Sequence, residues 1–357
     1  MKIGIITFHR SNNYGTALQT FSLYRKLIEL YPSCEVYIVD YYAERIKKGY
    51  RLIRFEHLRS FIYSLIRLPF SVKIHFSFSK FIKENFKLMD IKYVSCLDFL
   101  VCGSDQIWNP QITRGFDPYY FGCIDGFTGK TIIYAASDGG YLGNGKSYIL
   151  KKYLMHINAI SVRESTMLSS LNLYNNNISV VLDPVFLFDK ENWCKIASNK
   201  KYQNYILIYR LAPDDKMLRD AYKLAKKKGL QIIQLRAFHP FRETFRGKRK
   251  MAIPSIHDFL SLFLHADYVF TSSFHGLAFS IVFNKQFYVY QQLINEKRND
   301  RLHCILSEFN LIDRYDSYFN VEKIETIDYT NVNNLLQKRR DDSILFLKNN
   351  LICKAQD

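Results

Sequence analysis

The sequence predicts an α/β protein of two Rossmann-like domains whose parallel sheets face each other across a cleft. Short apolar runs alternate with helical patterns along most of the chain, as expected of stacked βαβ units. The chain has 357 residues, of which 48% are hydrophobic. That length favours two domains over one, and that composition supplies enough apolar side chains for two cores.

The order of elements supports this division. In the first half, apolar runs predict strands at Lys2–Thr7, Val36–Val39, Phe99–Cys102, Thr131–Ala135, Ala159–Val162 and Val180–Leu182. Helical patterns there cover Tyr14–Leu30, Lys146–His156 and Ser165–Leu171. In the second half, strands are predicted at Tyr205–Tyr209, Gln231–Leu235, Tyr268–Thr271 and Phe287–Tyr290. The helices between them are predicted at Asp214–Lys228, Ile256–His265 and Leu277–Phe283.

The domain boundary is predicted just after Asp183-Pro184, where a strand ends and a new series of helices and strands begins. This gives an N-terminal domain of residues 1–184 and a C-terminal domain of residues 185–330. Residues 331–357 contain an amphipathic stretch and predict a terminal helix able to cross back over the first domain. In open parallel sheets, ligands bind beyond the carboxyl ends of the strands, so candidate site residues are sought there.

The cysteines and the apolar runs indicate the cellular compartment. Seven cysteines are scattered without a CxxC pair, and no histidine cluster has metal-ligand spacing. We therefore expect buried free thiols in a reducing compartment, with no metal and no cofactor. The first residues lack the long apolar region of a signal peptide, and no run of about 18 apolar residues marks a membrane span. A cytoplasmic protein is predicted, with any membrane contact peripheral.

The net charge of +17 is unevenly distributed. Residues 45–87 hold eleven Lys and Arg against Glu56 and Glu84, which is a local charge of +9. Such a field attracts nucleic acid, anionic lipid or phosphorylated substrates. We interpret residues 45–90 as a basic helical insertion that either packs on the first domain or lies on an anionic membrane. Its apolar residues with helical spacing are Phe55, Leu58, Phe61, Ile62, Leu65 and Ile66.

Two strand ends of the first domain carry candidate groups for binding an anion or hydroxyls. The first strand leads into a polar loop with Asn13, Tyr14 and Gly15, where a helix begins. Backbone N–H groups at such an N-terminus suit an anion or sugar hydroxyls, and the alternative is an ordinary helix cap. Asp105 follows Gly103 after another strand, so its carboxylate is placed to orient or deprotonate a hydroxyl. The alternative for Asp105 is a structural Asx turn.

Two further strand ends carry Arg163 and Asp183. Arginine binds a carboxylate or phosphate through two parallel hydrogen bonds, which makes Arg163 a candidate for binding one of these anions. A salt bridge to Glu164 is the alternative. For Asp183 we favour a structural role, because Pro184 fixes the turn that follows it.

The second domain contains a serine-rich turn that opens a helix, with Ser272, Ser273, His275 and Gly276 following a strand. This arrangement is typical of an anion site, and His275 is placed to hold a phosphate or to donate a proton. Arg210 and Arg236 also follow strands. Ordinary surface ion pairs are the role we expect for these two arginines.

Seven segments together resemble the polysaccharide pyruvyltransferase family. In chain order they are TFHRSNNYGTALQT, FLVCGSDQIWNP, IIYAAS, SVRES, VVLDPVFL, IHDFLSLFLHADYVFTSSFHGLAFSIVF and RNDRLHCILSEFNL. They extend from residue 7 to residue 311, which is most of the chain. Each segment alone is a weak signal, whereas seven in the family's order are a specific one.

The resemblance implies a GT-B-like fold and transfer of the enolpyruvyl unit of phosphoenolpyruvate to a sugar as a ketal, in capsule or exopolysaccharide biosynthesis. The sugar acceptor would be carried on a membrane lipid. Arg163 looks like the family's donor-binding arginine, His275 like the histidine of its second-domain motif, and Asp105 like an acidic position near the acceptor. Some members carry arginine two residues before that histidine, where this chain has Ser273. The donor's second cation must then lie elsewhere.

Three other interpretations compete. A nucleotide-sugar glycosyltransferase of GT-B-like fold would need a base pocket and usually an acid for the ribose, and no clear ribose-binding motif is present. A nucleic-acid-binding protein is prompted by the charge, yet the basic residues form no recognised motif, so no nucleic acid is expected as a partner. A non-catalytic family member is the third, because of Ser273.

Overall fold

The computed structural model describes residues 1–49, 52, 58–141, 148–172, 174, 177–235, 248–292, 299–318, 320, 321, 323 and 325–352. The chain divides into two compact units. Unit 1 comprises Met1–Leu187 and Arg339–Asp357, and unit 2 comprises Phe188–Lys338. The division falls after Leu187, near the predicted boundary at Pro184.

Unit 1 is built on a seven-stranded sheet in which all paired strands are parallel. Its strands are β1 (Lys2–Ile6), β2 (Glu35–Asp40), β3 (Leu88–Asp90), β4 (Phe99–Cys102), β5 (Lys130–Ala136), β6 (Ala159–Val162) and β7 (Ile178–Val180). The spatial order is β3-β2-β1-β4-β5-β6-β7. The central strands β1 and β4 are apolar and almost wholly buried, as a parallel sheet covered on both faces requires.

Unit 2 repeats the same plan with five parallel strands. They are β8 (Tyr205–Tyr209), β9 (Gln231–Leu235), β10 (Lys250–Ala252), β11 (Tyr268–Thr271) and β12 (Gln286–Val289). The order β10-β9-β8-β11-β12 reverses direction between β8 and β11, as unit 1 reverses between β1 and β4. Each unit is therefore a doubly wound sheet with one topological switch point.

The helices fill the connections between parallel strands. In unit 1 they are α1 (Tyr14–Leu30), α2 (Glu44–Gly49), α3 (Leu58–Asn85), α4 (Pro110–Thr113), α5 (Tyr148–Leu154) and α6 (Leu168–Leu171). In unit 2 they are α7 (Lys190–Cys194), α8 (Asp215–Lys228), α9 (Ile256–Leu264), α10 (Phe274–Val282) and α11 (Asp300–Glu308). The last helix, α12 (Tyr329–Asn350), begins in unit 2 and ends in unit 1. None of the helices in the described part of the chain is both long and apolar enough to cross a membrane.

The end of α12 completes the core of unit 1. Leu347 and Leu351 are fully buried, and Ser343 Oγ accepts a hydrogen bond of 2.9 Å from Leu182 N just beyond β7. Arg340 Nε donates to the carbonyl oxygen of Phe186 at 2.6 Å. The predicted terminal helix therefore contributes to the first sheet's domain, as expected of a helix that returns to it.

The basic insertion is helical but does not bury its predicted apolar stripe. Ile62, Leu65 and Ile66 are exposed in α3, so these three side chains of the predicted stripe do not pack on the first domain. The residues that do anchor α3 lie nearer its end, where the ring of Phe78 contacts Tyr14 and that of Phe81 contacts Phe21. Phe55 and the side chain of Leu58 lie outside the described part of the structure.

Candidate active-site residues

The switch point of unit 1 brings the ends of β1 and β4 together. The two strands are direct neighbours, with Ile6 paired to Cys102, and the connections that leave them run to opposite sides of the sheet. Thr7 Oγ1 donates to the carbonyl oxygen of Ser104 at 3.1 Å, which ties the two loops together. A crevice is expected at this place in a doubly wound sheet.

Asp105 lies at this switch point with its carboxylate fixed by several donors. Its backbone is left-handed, with φ of 70°, and its side chain is largely buried. Thr16 Oγ1, in the first turn of α1, donates to Asp105 Oδ2 at 2.7 Å, and Gln106 N donates to Oδ1 at 2.8 Å. The backbone also joins the sheet, because Ser137 N donates to the carbonyl oxygen of Asp105. The carboxylate is thus held rigidly at the carboxyl edge of the sheet.

The predicted acceptor-binding residues Asn13, Tyr14 and Gly15 form the start of α1. Asn13 is its N-cap and accepts hydrogen bonds from Gly15 N at 2.9 Å and from Thr16 N at 3.3 Å. This is the capping role that the sequence left open as the alternative. The cap fixes the first turn of α1, from which Thr16 reaches Asp105. The three residues therefore position a group that contacts Asp105, and their contact with an acceptor stays a prediction.

Arg163, at the end of β6, is held between two carboxylates. Its side chain is 1% exposed, its Nε donates to Glu164 Oε1 at 2.8 Å, and its Nη1 donates to Asp183 Oδ2 at 2.6 Å. Burial disfavours the charged guanidinium, but the charges of Glu164, Asp183 and Asp105 outweigh it and raise the pKa of Arg163. The salt bridge to Glu164 that the sequence offered as an alternative is therefore present, and binding of a donor by Arg163 stays a prediction.

Asp183 contacts groups from both the β4 and the β6 strand ends. It accepts from Arg163 and from Val185 N at 3.1 Å, and Ser104 Oγ lies 3.5 Å from its Oδ2. Its bond to Val185 N, just after Pro184, agrees with the structural role that the sequence favoured. The switch point of unit 1 can accordingly position hydroxyl groups and accept protons from them.

In unit 2, Ser272, Ser273, His275 and Gly276 lie at the corresponding switch point, between the ends of β8 and β11. Ser272 Oγ accepts from Leu211 N at 3.2 Å, which connects the two strand ends directly. Ser273 is the N-cap of α10, with its Oγ 3.4 Å from Gly276 N. His275 follows in the first turn and is largely buried.

Gly276 allows close packing beneath this turn. A Cβ atom at that position would lie 2.2 Å from Thr271 Oγ1, closer than two such atoms can approach. Thr271 Oγ1 is itself engaged, donating to the carbonyl oxygen of Tyr209 and accepting from Ser273 N at 3.0 Å. The glycine therefore brings the start of α10, with its backbone N–H groups, against the end of β8.

Two buried arginines accompany this turn, and the sequence did not predict their burial. Arg210, expected in a surface ion pair, is instead 2% exposed and donates to the carbonyl oxygen of Asp214 at 3.2 Å. Burial, together with the positive charge of Arg249, lowers its pKa to about 10. Arg301 is also buried, with its guanidinium carbon 5.9 Å from the ring centre of Phe274 in α10. Arg236 lies outside the described residues.

A hydrogen-bonded chain holds Arg301 near the serine-rich turn. Gln292 Nε2 donates to the carbonyl oxygen of Ser272 at 2.7 Å, and Gln292 N donates to Asn299 Oδ1 at 2.7 Å. Asn299 leads directly into Asp300 and Arg301 at the start of α11. The sequence pointed to Arg301 only through its position inside the last of the seven family-like segments. An arginine in an amphipathic helix is otherwise expected to face the solvent.

Two solved structures illustrate what this chain is similar to in fold. A putative UDP-N-acetylglucosamine 2-epimerase from Listeria monocytogenes matches with a TM-score of 0.51 and 10% identity, over 96% of this chain and 90% of that one. The S. aureus protein MnaA, in a co-structure with UDP, gives a TM-score of 0.48 and 11% identity, over 97% of this chain and 89% of that one. The first likeness, together with the two parallel α/β sheets, confirms the GT-B-like fold class.

Comparison by sequence gives the family. No curated protein matches the chain. The family model described as polysaccharide pyruvyl transferase matches residues 13–291. That range contains Asp105 and Arg163 in unit 1 and Ser272, Ser273 and His275 in unit 2. The chain belongs to the polysaccharide pyruvyl transferase family, as the seven segments predicted, and it is a transferase.

Proposed function

We propose that the chain transfers the enolpyruvyl unit of phosphoenolpyruvate to two hydroxyls of one sugar, forming a pyruvate ketal and releasing phosphate. The C–O bond to phosphate breaks, and two bonds form between the former enol carbon and the sugar oxygens. The methylene carbon gains one proton and becomes a methyl group. The two sugar hydroxyls lose two protons in total. One of them accounts for the proton gained by the methylene carbon, and the other leaves with phosphate.

The observation that carries this proposal is the difference in charge between the two switch points. Unit 1 presents three carboxylates against one arginine: Asp105 accepts from the hydroxyl of Thr16, and Arg163 lies between Glu164 and Asp183. Unit 2 presents Arg301 beside Phe274, the first residue of α10, and the buried Arg210 directly after β8, with its guanidinium bonded to the carbonyl oxygen of Asp214. Carboxylates suit an uncharged hydroxyl acceptor, whereas cations and helix N–H groups suit a donor that carries both a phosphate and a carboxylate. We therefore assign the acceptor to unit 1 and the donor to unit 2.

On this assignment Asp105 orients a sugar hydroxyl and accepts its proton. Its fixed geometry favours that role, because general bases act within hydrogen-bond reach of the proton they remove. The loop of Asn13, Tyr14 and Gly15 contributes to the acceptor side by fixing the start of α1. Ionised Asp105 also stabilises a cationic, oxocarbenium-like carbon as phosphate leaves.

In unit 2, His275 contacts the phosphate or protonates the methylene carbon, and Ser272, Ser273 and Gly276 provide the turn that receives the phosphate. Ser273 supplies no positive charge where some family members have arginine. Arg301 and Arg210 are the cations of unit 2 that could replace it. Arg163 lies in unit 1, on the acceptor side of this assignment, where its ion pairs hold the carboxylates of Glu164 and Asp183 in place. The donor-binding role that the family resemblance implies for Arg163 is the alternative.

The biological setting follows from the family. We propose that the acceptor is a lipid-linked sugar, that the product enters a capsule or exopolysaccharide, and that the enzyme works in the cytoplasm at the inner face of the membrane. The reaction as written needs no cofactor, because phosphoenolpyruvate is itself the activated donor.

The donor assignment is tested by calorimetric titration of the protein with phosphoenolpyruvate. The wild type is expected to bind it, and Arg301→Gln is expected to weaken binding by about tenfold, the effect of one charge-assisted hydrogen bond. Arg314→Gln is the matched control, since Arg314 is a buried arginine of unit 2 that donates instead to the carbonyl oxygen of Glu325. Binding of UDP-sugars with no binding of phosphoenolpyruvate would overturn the assignment in favour of a nucleotide-sugar transferase.

A further inference from the structure

Helix α3 has one face that packs on unit 1 and one that does not. Phe78 and Phe81 are buried, and their rings lie 5.2 Å from Tyr14 and 5.5 Å from Phe21 of α1. Ser64 lies on the same side of the helix and is also buried. This face anchors the helix to α1, the helix that also carries Thr16.

The opposite face of α3 is apolar and exposed. We call this set of side chains the apolar stripe; the exposed fractions are 49% for Ile62, 42% for Leu65, 56% for Ile66, 37% for Phe70 and 68% for Phe76. At 100° per residue they lie between about −60° and +80° of Ile62 around the helix axis, which places them along one side of the helix. A contiguous patch of large apolar side chains on a protein surface is a mark of an interaction site.

Cations continue the same face towards the end of α3. Lys73, Lys80 and Lys83 are exposed and lie within about 60° of Ile62 around the helix axis, at 100° per residue. Glu84 is close enough to Lys80 for a weak exposed pair of 3.8 Å, but it offsets only one of these charges. The face is therefore apolar as far as Phe70, and beyond it Phe76 lies among the three lysines.

We propose that this face of α3 is the surface by which the protein docks on a bilayer rich in anionic lipid. The apolar stripe would enter the boundary between headgroups and acyl chains, and the lysines would contact the acidic headgroups. Charge selects this occupant over a second copy of the chain. Pairing two copies through α3 would bring together two segments that each carry eleven basic and two acidic residues between positions 45 and 87. The docking surface goes beyond the proposed chemistry and does not depend on it.

Vesicle flotation of the full-length protein tests this surface without substrate. Vesicles of phosphatidylcholine alone are compared with vesicles that also contain phosphatidylglycerol, at low and high salt. We expect binding only to the anionic vesicles, weakened by salt because screening shortens the range of the lysine charges. Ile62→Ser with Ile66→Ser is expected to lower the partition coefficient by about tenfold for each side chain removed.

Matched variants separate the surface from general effects. Ile149→Ser with Met155→Ser removes two apolar side chains that are equally exposed elsewhere in unit 1, and it is expected to bind like the wild type. Removing three charges in Lys73→Gln, Lys80→Gln and Lys83→Gln should weaken binding on the order of a hundred-fold. Removing Lys226, Lys227 and Lys228 of α8 in the same way changes the net charge equally and should have little effect.

Three outcomes would overturn the proposal. The first is equal binding to neutral and anionic vesicles, and the second is equal loss of binding in the stripe variant and its Ile149/Met155 control. The third is a dimer in analytical ultracentrifugation that the stripe variant dissociates, with no vesicle binding, which would make the face a contact between copies. Because the vesicles contain no sugar and the assay no phosphoenolpyruvate, none of these results bears on the transferase reaction.

Discussion

Asp105 illustrates how a single side chain acquires a chemical role from its surroundings. Thr16 and the backbone of Gln106 fix the carboxylate, and the left-handed backbone turns it past the end of β4. Arg163 lies nearby, and the negative charge of Asp105 helps to raise the pKa of Arg163. The contributions of these two residues to the reaction can be measured separately by substitutions that change the chemistry of each side chain but largely keep its size.

Replacing Asp105 by Asn should remove proton acceptance while keeping the side-chain volume. We expect kcat for phosphate release to fall by about 10²–10⁴-fold, the usual contribution of a general base, with little change in the KM for phosphoenolpyruvate. Steady-state kinetics measure the split, and circular dichroism confirms that the fold is kept. A KM effect with unchanged kcat would show that Asp105 only binds substrate.

Replacing Arg163 by Lys distinguishes its two roles. Lysine retains the charge but not the fork geometry, so a donor-binding role predicts an increase of about tenfold in the KM for phosphoenolpyruvate. The ion pairs with Glu164 and Asp183 predict a loss of stability as well, because they are buried. Kinetics and thermal denaturation are measured on the same preparation. A lower melting temperature with unchanged KM would leave Arg163 only the ion-pair role.

At the scale of secondary-structure elements, the boundaries of the strands show which parts of the fold the sequence predicts. The ends of β4, β6, β8 and β11 agree with prediction because each is an apolar run followed by a polar turn, and the end of β9 agrees as well. The edge strands β3 and β10 were missed, since each has three residues and few apolar side chains to mark it. Strand β7 was predicted two residues too late, because the apolar residues Val181 and Leu182 continue past it and are buried.

The loop after β1 is held by an ion pair at the end of β2 whose strength should depend on pH. Arg10 Nε donates to Asp40 Oδ1 at 2.5 Å, and the buried His9 contacts the same oxygen at 3.1 Å. Hydrogen bonding by Arg10, and then by His9, holds the pKa of Asp40 well below its ordinary range. A depressed carboxyl pKa stabilises the folded state above the unfolded pKa of about 3.9, and this stabilisation is lost as the pH falls below it.

We therefore expect Asp40→Asn to lower the free energy of unfolding by about 1–2 kcal/mol near neutral pH. The difference from the wild type should be constant down to about pH 4 and shrink at lower pH, as Asp40 itself becomes protonated. Urea denaturation at a series of pH values measures it. Asp342→Asn is the control, because Asp342 is half-exposed and its pair with Arg339 is 3.6 Å long, so that pair should contribute little. A difference that does not depend on pH would contradict the ion-pair explanation.

At the scale of the whole molecule, each of the two sheets has one switch point between two neighbouring strands. The four strand ends concerned are those of β1 and β4 in unit 1 and of β8 and β11 in unit 2. The sequence predicted where three of these four loops lie, at Asn13, Asp105 and Ser272, because strand ends can be found from local patterns; that these loops bind substrate stays a prediction. It could not find the contact between Thr16 and Asp105, which joins residues 89 apart. It also misjudged Arg210, since burial of an arginine depends on neighbours from other elements. The return of α12 to unit 1 was foreseen only from the position of an amphipathic stretch at the end of the chain.

The central claim is that the chain makes a pyruvate ketal, and the product tests it most directly. The protein is incubated with phosphoenolpyruvate and a panel of lipid-linked or synthetic galactosides and glucosides, and the sugars are then analysed by mass spectrometry. We predict that one acceptor gains the mass of pyruvate less one water while an equal amount of phosphate is released, and that Asp105→Asn abolishes both. Release of phosphate without a modified sugar, or transfer of a hexose from a UDP-sugar to the same panel, would contradict the account.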